Sequence, residues 1–160
     1  MGITIGPVDW WLDTPDTLNA LIASCPEGTV LPDKSAIICK SGGTAWIVAP
    51  VTTQVSQTWN GTTDTLVGNK CCVCDWSSLC SALVSAGFNP GDWFVPSRTQ
   101  LQNPGYVCRS KWDSFAGGGY WSSTEVNATV SYYVAYTSGN AEFGSKTLFS
   151  CVRAFRCVTY

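Results

Sequence analysis

Histidine is absent from this 160-residue chain, and charged residues make up only 12% of it, about half the ~25% of an ordinary globular domain. The first absence removes histidine-based catalytic triads, histidine zinc ligands and histidine proton shuttles together. The second leaves nine basic residues against eleven acidic ones, a net charge of −2. No basic face can then neutralise phosphates, so no nucleic-acid partner is expected. The only glutamates are Glu27, Glu125 and Glu142, too few for an oxygen-rich calcium cage built from neighbouring residues. No apolar run approaches the ~20 residues of a membrane span. The start, Met1–Asp13, lacks the basic and continuous apolar regions of a signal peptide. Gly2 is followed by Gly6, where a myristoylation motif needs Ser or Thr. The expectation is a soluble protein made in a cytosol, without a membrane span. The sequons at Asn60 and Asn127 carry little weight without a secretory signal.

What is plentiful is cysteine (nine), tryptophan (eight) and glycine (fifteen). Residues 1–33 are punctuated by Pro7, Pro15, Pro26 and Pro32 and read as an N-terminal arm. Within them Pro15–Ile22 forms a short helix, with Thr14 as its cap and Pro15 at the first position, where a missing N–H costs nothing. Trp10 and Trp11 are an adjacent apolar pair that either covers the core or docks the arm into a neighbouring subunit.

From residue 34 onward the pattern is that of one α+β domain. Ala36–Cys39 and Thr44–Ala49 flank Ser41-Gly42-Gly43, a hairpin signal because glycine adopts positive φ freely. Residues 51–70 read as loop. Over Asp75–Ala86, Trp76, Leu79, Cys80, Leu83 and Val84 form one apolar stripe of helical period, capped by Asp75 and stopped by Gly87. A second short helix starts at Ser97, and Cys108–Phe115 adds a turn or two. Strands follow at Tyr120–Thr124, Ser131–Thr137 and Leu148–Tyr160. In the middle strand Tyr132, Val134 and Tyr136 share one face, and Ser131, Tyr133 and Ala135 the other.

Four ordered segments resemble the Lcl C-terminal domain family: Gly91-Asp92-Trp93-Phe94-Val95-Pro96-Ser97 with Leu101, Tyr120-Trp121-Ser122-Ser123-Thr124-Glu125, Ser131–Tyr136 with Gly139, and Cys151–Val158. The resemblance covers roughly residues 35–160. It implies a C-type-lectin-like fold with two short helices and a small, mostly antiparallel sheet. It also implies a place among bacterial surface proteins or phage structural and tail-fibre proteins. Phe94 stands where family members carry Arg, and the calcium-lectin signatures are missing, so calcium-dependent sugar binding is not expected.

The nine cysteines can be disulfides, buried free thiols or metal ligands, and an odd count leaves at least one unpaired within the chain. Cys71 and Cys74 have the C-x-x-C spacing of half a zinc site or of a redox motif. The lectin-like resemblance implies a bridge from the first helix to the last strand, joining Cys80 to Cys157 or Cys151.

The resulting expectation is a non-enzymatic phage virion structural protein, a capsid decoration, tail or fibre component. It would be made in the host cytoplasm and carried outside in the particle. Its partners would be other virion proteins and further copies of itself, through Trp10 and Trp11. A lectin-like face with Ser131, Tyr133, Asn140 and Glu142 outward would meet a host-surface glycan or protein. No cofactor, metal or catalytic residue is expected. One alternative is a secreted or cell-surface adhesin. The other is a thiol-dependent oxidase of the formylglycine-generating type, although few groups are present for acid–base work.

Overall fold

Pro15 opens α1 (Pro15–Ser24), as its fixed φ suits the first turn of a helix. The computed structural model describes residues 15–59 and 66–160; Trp10, Trp11, the Thr14 cap and the Asn60 sequon lie outside them. At the far end of α1 the Lys40 ammonium donates to the carbonyls of Ile22, Ala23 and Cys25 at 2.8, 3.1 and 2.9 Å. A cation there satisfies terminal acceptors and complements the helix dipole. Ile22, Cys25 and Leu31 are buried in the main core. Leu18 and Leu21 pack against the same core, because this helix has an apolar side and a lysine at its end.

The hairpin forms as the sequence indicates. Strands β1 (Ala36–Ser41) and β2 (Thr44–Val48) pair antiparallel with Ser41 opposite Thr44. Gly42 and Gly43 turn the chain at φ 57° and 78°, the two positive values a tight hairpin turn requires. The remaining strands are β3 (Val55–Gln57), β4 (Gly119–Glu125), β5 (Val130–Ala135), β6 (Ala141–Ser145), β7 (Ser150–Val152) and β8 (Phe155–Thr159). They build two sheets rather than one small one, ordered β1-β2-β8 and β3-β7-β4-β5-β6. All pairings are antiparallel except β4 with β7, which run parallel at Tyr120 and Cys151. Phe94 extends the edge of β8 by exchanging both backbone hydrogen bonds with Phe155 at 2.9 Å, and it bridges on to Cys72.

Three helices are present among the described residues, each near a place where the sequence indicates one. After α1 come α2 (Ser77–Ser85) and the short α3 (Arg98–Gln100). Asp75 does not cap α2; it sits in the turn before, and Trp76 occupies the cap position without a side-chain bond. Trp76, Leu79 and Leu83 are buried, whereas Val84 is exposed, so the buried stripe is narrower than the spacing suggests. Ser97 and Gln100 form a complete capping box on α3, satisfying two otherwise orphaned N–H groups reciprocally.

Strand alternation divides the core in two. Ile37, Ala45, Ile47 and Val158 face one cluster with Trp59, Trp76, Leu79, Trp93 and Trp121. Ala36, Ile38, Val48 and Phe155 belong to a second, with Tyr120, Val134 and Tyr136 around Trp112. The Trp112 ring sits 5.4–5.6 Å from those of Tyr120, Tyr136 and Phe155, inside the range where tilted and edge-on aromatic pairs attract.

Candidate functional site

The face of β4, β5 and β6 that carries Tyr133 holds a groove of about 210 Å³ lined by Gly119, Trp121, Tyr133, Gly144, Leu148, Phe149 and Ser150. Its floor is set by sheet register: Trp121 stands opposite Tyr133, and Tyr133 opposite Glu142. The Trp121 and Tyr133 rings meet edge to face at 6.0 Å. Two glycines make room for the tyrosine. A Cβ on Gly119 would lie 2.7 Å from Tyr133 Cδ2, and one on Gly144 would lie 3.4 Å from Cε1.

The polar end of the groove is the Tyr133 hydroxyl, which donates to Glu142 Oε2 at 2.6 Å. That bond, followed by burial, pushes the phenol above its usual value, so it stays a neutral donor at physiological pH. Ser150 Oγ is committed to Gly119 O at 2.7 Å. The rim is apolar: Leu148 is 58% exposed and Phe149 73% exposed.

Of the four residues expected outward on this face, Asn140 and Glu142 are exposed and Tyr133 is half-buried against the main core. Tyr133 and Glu142 are joined, and Asn140 is exposed at the β5–β6 turn, where its carbonyl accepts from Ala135 N. Ser131 is not outward: it is fully buried, and its Oγ has no hydrogen-bond partner. The cause is an irregular register in β4. Trp121 pairs with Tyr133 but Glu125 with Ser131, so two extra residues bulge and fold the sheet end inward. There the buried carboxylate of Glu125 meets the buried ammonium of Lys146 and accepts from Val67 N and Gly68 N. Burial pushes the Glu125 carboxyl up, but these bonds outweigh it and hold it below its ordinary value.

Sequence reasoning missed Leu148 and Phe149 as groove residues. The signal available was two adjacent large apolar residues after a Ser-Lys-Thr turn, but these read as the start of a strand.

The cysteines are all free thiols. Cys80 is not bridged to Cys151 or Cys157, for a topological reason. Cys80 packs against the first core cluster and Cys151 against the second. Cys157 is exposed on β8, opposite Trp46, which faces the second cluster. A bridge would have to pass through the sheet. Among the described residues no group of three or more Cys, Asp or Glu is arranged to hold a metal ion. The thiol pKa values that move all move up. Burial, then Cys108 and Glu27, push Cys39 to about 11, and burial raises Cys151 and Cys157. Raised thiols are poor nucleophiles. Among the described residues no helix is long and apolar enough to cross a membrane.

No family model matches the chain, and no curated protein matches it. The fold is that of a small α+β protein, with three helices and two mostly antiparallel sheets among the described residues.

Proposed function

We propose that the chain is a C-type-lectin-like domain acting as a non-enzymatic component of a phage virion, a capsid decoration, tail or fibre protein. The groove over β4, β5 and β6 is its binding face for a host-surface glycan or protein, and other virion proteins or further copies of the chain hold it in the particle. The observation that carries the reading is the groove itself. It has an aromatic floor, one hydroxyl–carboxylate pair and an open apolar rim at Leu148 and Phe149. Aromatic faces beside a few fixed polar groups suit saccharide or protein surfaces. Non-catalytic use is supported by the thiols being pushed toward their protonated, unreactive form.

Two measurements test it. Mass spectrometry of particles purified from a culture infected with the encoding phage finds the protein at stoichiometric copy number; its absence from particles overturns the virion assignment. Phe149→Ser and Leu148→Ser proteins keep their fold and lose about tenfold in binding to host cells, the loss of one central interface anchor. Unchanged binding in both would remove the groove as the face.

A further inference from the structure

We propose that β6 is a self-pairing edge, to which a second copy of this chain adds its own β6 antiparallel across a two-fold axis. The two sheets have four end strands, β1, β8, β3 and β6, and the chain itself occupies or guards the first three. Residues 28–30 run along β1, with Gly28 N donating to Ile37 O at 2.6 Å and Ile37 N to Thr29 O at 3.0 Å. Helix α2 packs against β3, where Leu79 N donates to Gln57 Oε1 at 3.2 Å. Phe94 pairs with the first residue of β8, and Arg156 places a charge within that strand. β6 ends the five-stranded sheet, and among the described residues no strand lies beyond it.

An open edge is a template for another strand, and proteins ordinarily blunt it with lysine, proline or a bulge. β6 reads Ala141-Glu142-Phe143-Gly144-Ser145, without lysine or proline, and its register to β5 is unbroken. Lys146, which follows it, is buried against Glu125. The one charge on the strand, Glu142, is held by the Tyr133 hydroxyl at 2.6 Å. Hydrogen-bond parity shows which groups are free. Ala135 N donates to Asn140 O at 3.0 Å and Lys146 N to Thr129 O at 2.9 Å, and both bonds continue the β5–β6 register. By antiparallel alternation Glu142 and Gly144 then bond inward to β5, whereas Ala141, Phe143 and Ser145 aim their N–H and C=O groups outward. Ser145 O accepts from Leu148 N at 3.0 Å and keeps a second lone pair. Phe143, at the centre of this row, is 66% exposed.

The occupant follows from the symmetry of the strand, in which a small residue stands at either end of the outward row and a ring at its centre. A two-fold axis at Phe143 sets Phe143 opposite the partner's Phe143 and Ala141 opposite the partner's Ser145. The outward groups then meet as hydrogen-bonded pairs, and each exposed ring is covered by its own copy. Glu142 lies opposite the partner's Gly144. The neighbouring register, centred on Glu142, would set two carboxylates directly opposite each other, which is unfavourable. Charge therefore selects the register that engages all three outward residues. A two-fold pairing of this kind is closed, using the same patch on both copies, and it turns the two grooves to the same side of the joined sheet. The pairing does not depend on what those grooves bind.

Analytical ultracentrifugation of the full chain tests it, together with amide exchange resolved residue by residue by NMR. Both are run in reductant, which removes links through the exposed Cys71, Cys72, Cys74 and Cys157. The wild type passes from monomer to dimer as its concentration rises. Exchange then slows at Ala141, Phe143 and Ser145 but not at Glu142 and Gly144, whose N–H groups are already bonded to β5. Phe143→Lys sets two like charges across the axis and weakens association by at least about a hundredfold. Its melting temperature at monomer concentration stays that of the wild type, and Phe143→Tyr keeps the dimer. A wild type still monomeric at about 1 mM, a dimer that Phe143→Lys leaves intact, or a dimer that leaves the three outward amides unprotected overturns the proposal. None of these results bears on whether the chain is found in particles or on what Phe149→Ser does to host-cell binding.

Discussion

Arg153 is 1% exposed, and replacing it with methionine tests whether this cation is structural. Its guanidinium donates to Ala49 O at 2.8 Å, to Ser114 O at 2.5 Å and to Gln54 Oε1 at 3.4 Å, and it pairs with Asp113. Asp113 in turn accepts from Val51 N at 2.8 Å. One side chain thus holds two loops, the β2–β3 connection and the segment of Asp113 and Ser114, against the β7–β8 junction, over the face of Trp112. Methionine keeps much of the apolar stem and leaves acceptors without a donor. A buried acceptor left unmet costs about 1–3 kcal/mol, and removing one partner of a buried pair costs about 3–5 kcal/mol. The expected loss for Arg153→Met is about 3–5 kcal/mol. At about 2–4 °C per kcal/mol for a domain of this size, Tm falls by about 10 °C. Asp113→Asn keeps the shape and an acceptor, and its partner retains other acceptors, so it costs about 1–2 kcal/mol. Urea denaturation of the two singles and the double gives the coupling, expected at about 1–3 kcal/mol. Arg153→Met within about 1 kcal/mol of the wild type, or strictly additive effects, would refute this account.

Glu125 supplies a pH test. Its folded-state pKa lies below the ordinary 4.5, so its contribution is complete above about pH 4.5 and is lost as pH falls through the lower folded value. Melting curves of the wild type and Glu125→Gln should differ most at neutral pH and converge in acid; a constant gap contradicts the linkage. Ser97→Ala removes one half of the capping box on α3 and costs about 1 kcal/mol by chemical denaturation. Phe149→Ser leaves stability within about 0.5 kcal/mol, since the ring is mostly in solvent; a larger loss would mean that the ring is packed.

Local rules carried much of the fold into the sequence. The Gly42-Gly43 turn, Pro15 at a helix start, Ser97 at another and the alternation around Val134 each act within a few residues, and each appears as read. Strands that exist only through distant partners were not legible. β3 is three residues in a Thr-rich stretch and is defined by pairing with β7, nearly a hundred residues later. β6 holds Glu142, exposed Phe143 and Gly144, a poor strand on propensity, and is recruited by lying beside β5. Residues 1–33 read as an arm because of their prolines, and Ile22, Cys25 and Leu31 among them are buried in the main core. Their attachment depends on Lys40, which lies beyond the segment and reaches back to cap α1.

The candidate site divides along the same line. Period-two alternation put Ser131, Tyr133 and Ala135 on one face, and that geometry is correct. Sharing a face, however, does not mean sharing solvent. The bulge in β4 turns one end of the face into the buried Glu125–Lys146 pocket and leaves the other end open as the groove. Its position depends on the register of two strands, which single-strand periodicity does not encode. The cysteines follow suit. Cys80 and Cys157 point to opposite sides of a sheet whose order, β1-β2-β8, is a long-range property. Likewise β1 packs against the segment after α3, a contact no spacing rule contains. A scarcity of charge therefore has a sharper meaning than low solubility or missing chemistry. The buried Arg153 and Lys146 are each committed to a carboxylate, and Lys40 caps α1. The cations that hold the loops are the ones the fold cannot lose, whereas the groove over β4, β5 and β6 is built from rings and one carboxylate.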